Sequence, residues 1–353
     1  MFRRCFALPL VLVGAVLLSS CDNGPRRVVL KGATMGTTWS VIYSLGGERP
    51  DSTTDTVSPD ALQVQIEREL AAINQSLSTY IPDSEISRVN AGDGTGPVVL
   101  SQRFATVLDS ALAVGELTDG AYDVTVGPLV ELWGFGARAG TLTPPDASEI
   151  GAAMQLVGAE RLAWDADTAS LSRPEGLRID LSSIAKGYAV DQLSELLAAQ
   201  GIVNGLVEIG GELRASGSRP EGGPWRLAVE SPDLGQARFI EALSVTDAAV
   251  ATSGDYRNFF EYEGRRYSHL VDPRTGYPVA HELVSVTVID PQCMTADALA
   301  TALLVLGLDA ALELAEAQGL AAHFVSRGKD ALEVHYTPAF EAYRQNSSAG
   351  AKP

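Results

Sequence analysis

Residues 177–215 read LRIDLSSIAKGYAVDQLSELLAAQGIVNGLVEIGGELRA, and the period of their apolar positions changes twice. Leu177, Ile179 and Leu181 alternate with polar residues, as along a half-buried strand. From about 184 to 199 the apolar residues recur at helical spacing, and 206–215 returns to the pattern of a strand. Toward the C-terminus strand patterns dominate. Residues 225–230, 239–245, 259–263 and 283–289 read as strands, helices are predicted over 296–306 and 310–317, and a closing strand lies near 322–326. Strands in blocks with helices grouped apart point to an α+β fold, with mixed or antiparallel sheets and packed helices, rather than a doubly wound one. There is no repeat of fixed period and no proline-rich linker, so two interwoven lobes are expected.

Toward the N-terminus the signals are local. Residues 28–45, with Trp39, Val41 and Tyr43 on one side, read as a strand broken at Gly36, and 46–60 is a surface loop rich in Gly, Pro, Ser, Thr and Asp. Ser58-Pro59 is a helix start, followed by an apolar face at Leu62, Ile66, Leu70, Ile73 and Leu77. A second helix follows Ser101, with Phe104, Val107, Leu108, Ala111 and Leu112 inward and Gly120 as its stop.

The chain has 353 residues, 46% hydrophobic and 20% charged, which excludes disorder as its main state and supplies a core without disulfide staples. Its 26 basic residues face 44 acidic ones, a net charge of -18, which argues against nucleic acid or an anionic membrane surface as the main partner. Arg3-Arg4, an apolar run over 6–18 and Ser19-Ser20-Cys21 have the layout of a secretory signal. Those 13 residues are too few to span a bilayer, which takes about 20. Leu17-Leu18-Ser19-Ser20-Cys21 resembles a bacterial lipobox, in which cleavage precedes a lipidated Cys21. The expected organisation is a signal peptide over 1–20, a tether over 21–27, one domain over 28–344 and a frayed tail over 345–353. The mature chain then carries a net charge of -20, and Cys293 is its one thiol beyond the lipidated residue. Asp22 resembles an inner-membrane retention signal and points to the periplasmic face of that membrane.

Three segments carry more glycine and polar residues than a core requires. In Asp180-Leu181-Ser182-Ser183-Ile184-Ala185-Lys186, either serine is a candidate cap; the first helical turn would offer free N–H groups to an anion, with Lys186 beside them. An ordinary capped helix with a solvated lysine fits the same residues. Asp297 and Thr301, four apart at a predicted helix start, stack a carboxylate and a hydroxyl on one face. That is hard-oxygen chemistry suited to Mg²⁺, although an Asp complementing the helix dipole reads the same way. The third segment runs from Gly254 to Gly276 and contains His269 ahead of Asp272-Pro273-Arg274-Thr275-Gly276. Arg257, Arg265, Arg266 and Arg274 balance Asp255, Glu261, Glu263 and Asp272, so this stretch is neutral within an acidic chain. The sequence contains no Walker loop, no complete dinucleotide fingerprint, no nucleophile elbow and no His-Glu-Xaa-Xaa-His.

Taken in order, these and further motifs resemble the ApbE family of periplasmic flavin transferases. The stretches are Thr34-Met35-Gly36-Thr37-Thr38-Trp39, Leu77-Ser78-Thr79-Tyr80, Tyr122 to Leu129, Leu132 to Gly136, Asp180 to Tyr188, Glu208-Ile209-Gly210-Gly211-Glu212, Thr252-Ser253-Gly254, His269 to Gly276 and Asp297 to Thr301. The resemblance implies a Mg²⁺-dependent transferase that splits FAD, attaches FMN through a phosphoester to a Thr or Ser hydroxyl of a client redox flavoprotein, and releases AMP. It implies FAD contacts at Met35, Tyr80, Tyr122, Asp123, Val124, Asp180, Ser183, Lys186, His269 and Val271, with residues 122–124 as a strand. It assigns Mg²⁺ to Asp297, Thr301 and the carbonyl of Ala185. Ala300 stands where some members carry a second Asp. His269, Asp297 and Lys186 are the expected catalytic residues, with His269 receiving or orienting the client's proton and Asp272 as its candidate partner. The alternatives are a Mg²⁺-dependent FAD pyrophosphatase and a flavin-binding lipoprotein without chemistry.

The anchor is directly testable: Cys21→Ala is expected to move the protein from the membrane to the soluble fraction. Retention of the variant on washed membranes would remove the lipid from the account.

Overall fold

The computed structural model describes residues 26–45, 57–94, 96–137, 143–232, 239–256 and 258–345. The signal peptide, Cys21, most of the tether, Arg257 and the tail from residue 346 lie outside the described residues. Strands β1 (Arg26–Thr34) and β2 (Thr37–Leu45) form a hairpin in unbroken antiparallel register. Met35 (φ 49°) and Gly36 (φ 71°) make its two-residue turn, so the strand predicted as broken at Gly36 is two strands folded back. Arg26 and Arg27, expected in the tether, are the first residues of β1.

Two long helices follow as predicted. Helix α1 (Pro59–Leu77) is capped by Ser58, which accepts the Ala61 N–H, and buries Leu62, Ile66, Leu70, Ile73 and Leu77. Helix α2 (Glu85–Ala91), strand β3 (Val98–Val99) and helix α3 (Gln102–Leu117) come next, α3 capped by Ser101. Helices α4 (Gly127–Leu132) and α5 (Ala147–Met154) and strands β4 (Ala163–Asp165) and β5 (Ser170–Ser172) complete the first half. The short helices escaped the periodicity reading because six to eight residues with one or two buried apolar positions show no period.

Residues 177–181 are not a strand. Leu177, Ile179 and Leu181 are buried as their alternation suggests, but the backbone between them pairs with single groups rather than a ladder. Asn90 exchanges two hydrogen bonds with the Ile179 backbone, and the Asp180 N–H donates to the Val124 carbonyl at 2.7 Å. Helix α6 (Ala185–Ala199) follows. The strand predicted over 206–215 is a hairpin, β6 (Gly205–Ile209) and β7 (Glu212–Ser216), joined by Gly210-Gly211 at φ 61° and 108°, which only glycine adopts freely.

Strands β8 (Trp225–Glu230) and β9 (Phe239–Val245) pair as a separate ribbon. Then come β10 (Ala248–Gly254), the hairpin β11 (Phe259–Tyr262) and β12 (Arg265–Ser268), β13 (Leu283–Asp290), α7 (Cys293–Leu306), α8 (Leu308–Ala317), β14 (Ala321–Arg327) and β15 (Leu332–Tyr336). β14 is therefore not the closing strand. The Gln345 N–H donates to the Ala242 carbonyl, so the ordered chain reaches one residue into the predicted tail.

The main sheet runs β1-β2-β6-β7-β10-β13-β14-β15, with every neighbouring pair antiparallel. The α+β class holds, and the pairing is antiparallel rather than mixed. α1, α3, α6 and α7 pack on one face around Trp39, Val41, Val207, Val286 and Phe324. On the other face the β8–β9 ribbon and the turn at Pro338–Tyr343 cover Ala215, Val250, Ile289 and Phe340. β10 lies between β7 and β13 with Ala249 and Ala251 toward the helices and Ala248 and Val250 toward the ribbon. Burial on both faces is why it lacks polar alternation and went unpredicted. A third cluster, Leu129, Trp133, Ile150, Phe260 and Val271, joins α4, α5 and the β11–β12 hairpin.

Helices α6 and α7 meet closely at Gly187. A Cβ there would lie 2.4 Å from the Cys293 carbonyl oxygen and 2.8 Å from the Met294 Cα, both backbone atoms. Gly187→Ala is expected to cost about 1–3 kcal/mol in urea unfolding, the usual range for overpacking. An unchanged midpoint would mean that the two helices separate without penalty.

Candidate active site

A cavity of about 700 Å³ opens where the α6 N-terminus, α7, the Gly210-Gly211 turn, the end of β10 and the His269 segment converge. Met35, Tyr80, Tyr122, Asp123, Asp180, Ser183, Ala185, Lys186, His269, Val271, Asp297 and Thr301 all line it. Val124 does not. Its side chain is 2% exposed in the helix-side core, and its carbonyl anchors Asp180. Residues 122–124 form a turn rather than a strand, because Asp123 accepts from the Thr125 N–H (2.7 Å), the Thr125 hydroxyl (2.6 Å) and the Ala159 N–H (3.0 Å). Burial raises the Asp123 pKa, these bonds oppose it, and the carboxylate is engaged by Thr125 beside it and by Ala159 from a distant turn.

Neither serine caps α6. The N-cap is Ile184, whose side chain makes no capping bond. The Ser182 N–H and hydroxyl both donate to Asp180 Oδ1, at 2.8 and 2.5 Å, which turns this serine back onto the preceding carboxylate. Ser183 donates to the Tyr122 hydroxyl at 2.9 Å. Burial, chiefly, raises the Tyr122 pKa, so the phenol keeps its proton. Met35 sits on the β1–β2 turn and Tyr80 stands at the rim, 66% exposed.

α7 begins at Cys293, so Asp297 lies beyond the first turn, and its carboxylate answers α6 rather than its own helix dipole. Asp297 is 3% exposed and its Oδ2 accepts the Gly187 N–H at 3.0 Å. One turn on, Thr301 shares a 3.0 Å hydrogen bond with Ser253 of β10. Lys186 is not a solvated lysine: its Nζ donates to Glu212 Oε1 at 2.5 Å. Burial would lower the Lys186 pKa, but Asp297 and Glu212 outweigh it and the net shift is upward, so the ammonium persists. Burial and the neighbouring Asp297 push Glu212 up to about 7 against the pull of Lys186, and burial likewise raises Asp297. Two buried carboxylates against one ammonium leave the site deficient in positive charge.

That deficit, with a carboxylate and a hydroxyl one helical turn apart, fits a small divalent cation bound by hard oxygens. Among the described residues there is no cluster of three or more His, Cys, Asp or Glu side chains that would hold a metal. Asp297 and Thr301, with Ala185 on the facing wall, are the set that would hold Mg²⁺, waters and phosphate completing it. Ala300 is fully buried and contributes no oxygen from its side chain.

His269 follows β12, and its Nδ1 lies 3.0 Å from the Asn258 carbonyl. A carbonyl only accepts, so Nδ1 carries the proton and Nε2 is the free acceptor of the neutral ring. Burial lowers its pKa and keeps it neutral at neutral pH, with the Asn258 bond opposing. Asp272 is not its partner: both carboxylate oxygens bind the Arg274 side chain at 2.9 Å and shape the turn. Within the neutral stretch Arg266 pairs with Asp255 and Arg274 with Asp272, while Arg265 lies over the Tyr267 ring. Cys293 is buried, with a pKa raised by burial, and stays a thiol.

The sequence reading missed Glu212 as a site residue although it lies in one of the family motifs; a carboxylate directly after Gly-Gly was the signal that could have found it. It also missed Asp191, which accepts the Cys293 and Met294 N–H groups at 3.0 and 2.9 Å and so caps α7 from α6.

The ApbE family matches residues 35–324. The FAD:protein FMN transferase of Vibrio cholerae is 42% identical over 332 residues, covering 94% of this chain and 97% of its own. That of Escherichia coli is 36% identical over 344 residues, covering 94% and 96%. The solved flavin transferase ApbE from Vibrio cholerae superposes with a TM-score of 0.82 at 40% identity, covering 90% of this chain and 99% of that one. The flavinyl transferase ApbE of Pseudomonas stutzeri, solved in its apo form, gives 0.82 at 38%, covering 90% and 96%. The chain belongs to the ApbE family.

Proposed function

We propose that this protein is an FAD:protein FMN transferase that uses Mg²⁺ and works at the periplasmic face of the inner membrane, anchored through Cys21. The observation that carries the reading is the convergence of Lys186, Asp297, Thr301 and His269 on one cavity in a chain so similar to relatives bearing that name. FAD occupies the cavity, with Tyr80 at the rim beside Met35, and Tyr122, Asp180 and Ser183 on the wall. The client is a redox flavoprotein presenting a Thr or Ser.

In the reaction the client hydroxyl oxygen attacks the FMN-side phosphorus, the pyrophosphate P–O bond breaks, and AMP leaves with the bridging oxygen. His269 Nε2 accepts the hydroxyl proton, its ring held in the required tautomer by the Asn258 carbonyl. Lys186 offers an ammonium to the phosphates, and Asp297, Thr301 and the Ala185 carbonyl are the groups that would hold the metal. When bound, Mg²⁺ supplies charge neutralisation of the phosphate oxygens.

Asp297→Ala is expected to abolish Mg²⁺-dependent FMN attachment to a client, read by in-gel flavin fluorescence, while far-UV circular dichroism stays native. Wild-type turnover at low Mg²⁺ would refute the assignment. His269→Gln is expected to leave FAD binding intact and to slow transfer by about 10²–10⁴-fold, the range for a lost general base. A wild-type rate would take His269 out of the mechanism. Release of free FMN, with none attached in the presence of client, would identify a pyrophosphatase instead.

A further inference from the structure

Glu212 is a buried carboxylate on the wall of the cavity that the proposed chemistry does not use. It is 2% exposed at the first position of β7, delivered there by the Gly210-Gly211 turn. Its Oε1 receives the Lys186 ammonium at 2.5 Å, and its Oε2, equally buried, has no hydrogen-bond partner. A carboxylate kept only for the fold would have both oxygens satisfied, since an unpaired buried acceptor costs stability. An ion pair buried for stability alone is also a poor choice, because an apolar pair of similar size often serves as well or better. The unsatisfied oxygen separates Glu212 from the structural pair Arg214–Asp191, which joins the same strand to α6 and in which Asp191 uses both oxygens on the α7 N-terminus.

The lysine explains why the pair exists. Lys186 is the second residue of α6, its side chain has several rotatable bonds, and Asp297 on α7 also draws it electrostatically. Without a second anchor the ammonium would settle toward Asp297, the group expected to hold the metal, and compete for that oxygen. Glu212 approaches from the sheet and α7 carries Asp297 from the helical layer, so a short bond to Glu212 fixes the ammonium on the sheet side. We propose that Glu212 is a positioning residue: through Oε1 it holds the Lys186 ammonium in the cavity, where it meets the phosphates of FAD. The inference rests on the reading of Lys186 as a phosphate ligand.

The test measures binding of FAD, FMN and riboflavin, without client or turnover, to wild type, Glu212→Gln, Lys186→Met and the double variant. Riboflavin lacks phosphate and reports the integrity of the flavin pocket alone. Glu212→Gln is expected to weaken FAD and FMN by about tenfold, the scale of one charge-assisted hydrogen bond, and to leave riboflavin unchanged. In the Lys186→Met background the same change is expected to add little, since the two residues act as one unit. Unchanged FAD binding in Glu212→Gln, equal weakening of riboflavin, or full additivity in the double variant would each overturn the inference. If Lys186→Met itself leaves FAD and FMN binding intact, the phosphate reading of Lys186 fails instead. Glu212→Met is the second variant should Glu212→Gln not fold. Collapse of both while Lys186→Met stays native would mark Glu212 as a support of the fold and defeat the proposal.

Discussion

The site depends on how closely two helices approach. At Gly187 there is no side chain between α6 and α7, and the N–H of that residue reaches across to Asp297. Asp191, one turn further along α6, accepts the first two N–H groups of α7, so the same helix fixes both the distance and the axial position of its neighbour. Ala185 and Lys186 thereby come to face Asp297 and Thr301 across a gap set by backbone rather than by adaptable side chains. A metal or phosphate site needs that kind of rigidity, because its ligands must be held before the ligand arrives. Arg214 of β7 pairs with Asp191 and ties the helix pair to the sheet.

Charge is handled locally. A chain of net charge -18 is a poor environment for a dinucleotide, yet the cavity holds one lysine against two buried carboxylates and leaves a deficit that a divalent cation would fill. Within the neutral Arg-bearing stretch Arg266 and Arg274 are each committed to an aspartate, and Arg327 of β14 pairs with Asp255 as well. Acidity over the whole molecule and the proposed use of a metal at the site would thus be two sides of one arrangement.

Much of this was legible from residues alone. Ser58 and Ser101 announced their helices through capping chemistry, and the eight-stranded sheet was foreshadowed by blocks of β-branched residues. What sequence could not carry was anything decided by a distant partner. Leu177 to Leu181 has a strand's alternation but lacks a neighbour to pair with, because Asn90 and Val124 take its backbone groups. β10 has no alternation, yet it is central because small residues fit between two covered faces. The serines before α6 looked like caps and are drawn elsewhere, one by Asp180 and one by Tyr122 from another segment. At the cavity, the motifs located the polar residues of α6 and α7 and His269, while Val124 was misjudged because its carbonyl is taken by Asp180 from a distant segment, and Asp272 because Arg274, two residues on, takes both its oxygens.

The histidine shows how the third hydrophobic cluster serves the site. β11 and β12 form a small hairpin outside the main sheet, held by the stack of Trp133, Tyr267 and Phe260 with centroid separations of 5.5 and 5.1 Å. Trp133 also donates to the Gly276 carbonyl, which pins the turn that Asp272 and Arg274 shape. His269 lies between these fixed points, its N–H bonded to the same Asn258 carbonyl as its ring Nδ1, with Phe135 edge-on at 6.2 Å. One carbonyl therefore fixes both the backbone and the tautomer of the residue. The consequence is a neutral imidazole presenting a single acceptor nitrogen, braced by the third cluster, while the α6–α7 pair would carry the phosphate and metal groups. Chemistry and charge neutralisation would thus be built on two walls of one cavity, the histidine wall braced mainly by aromatic stacking and the other by the backbone contact of two helices.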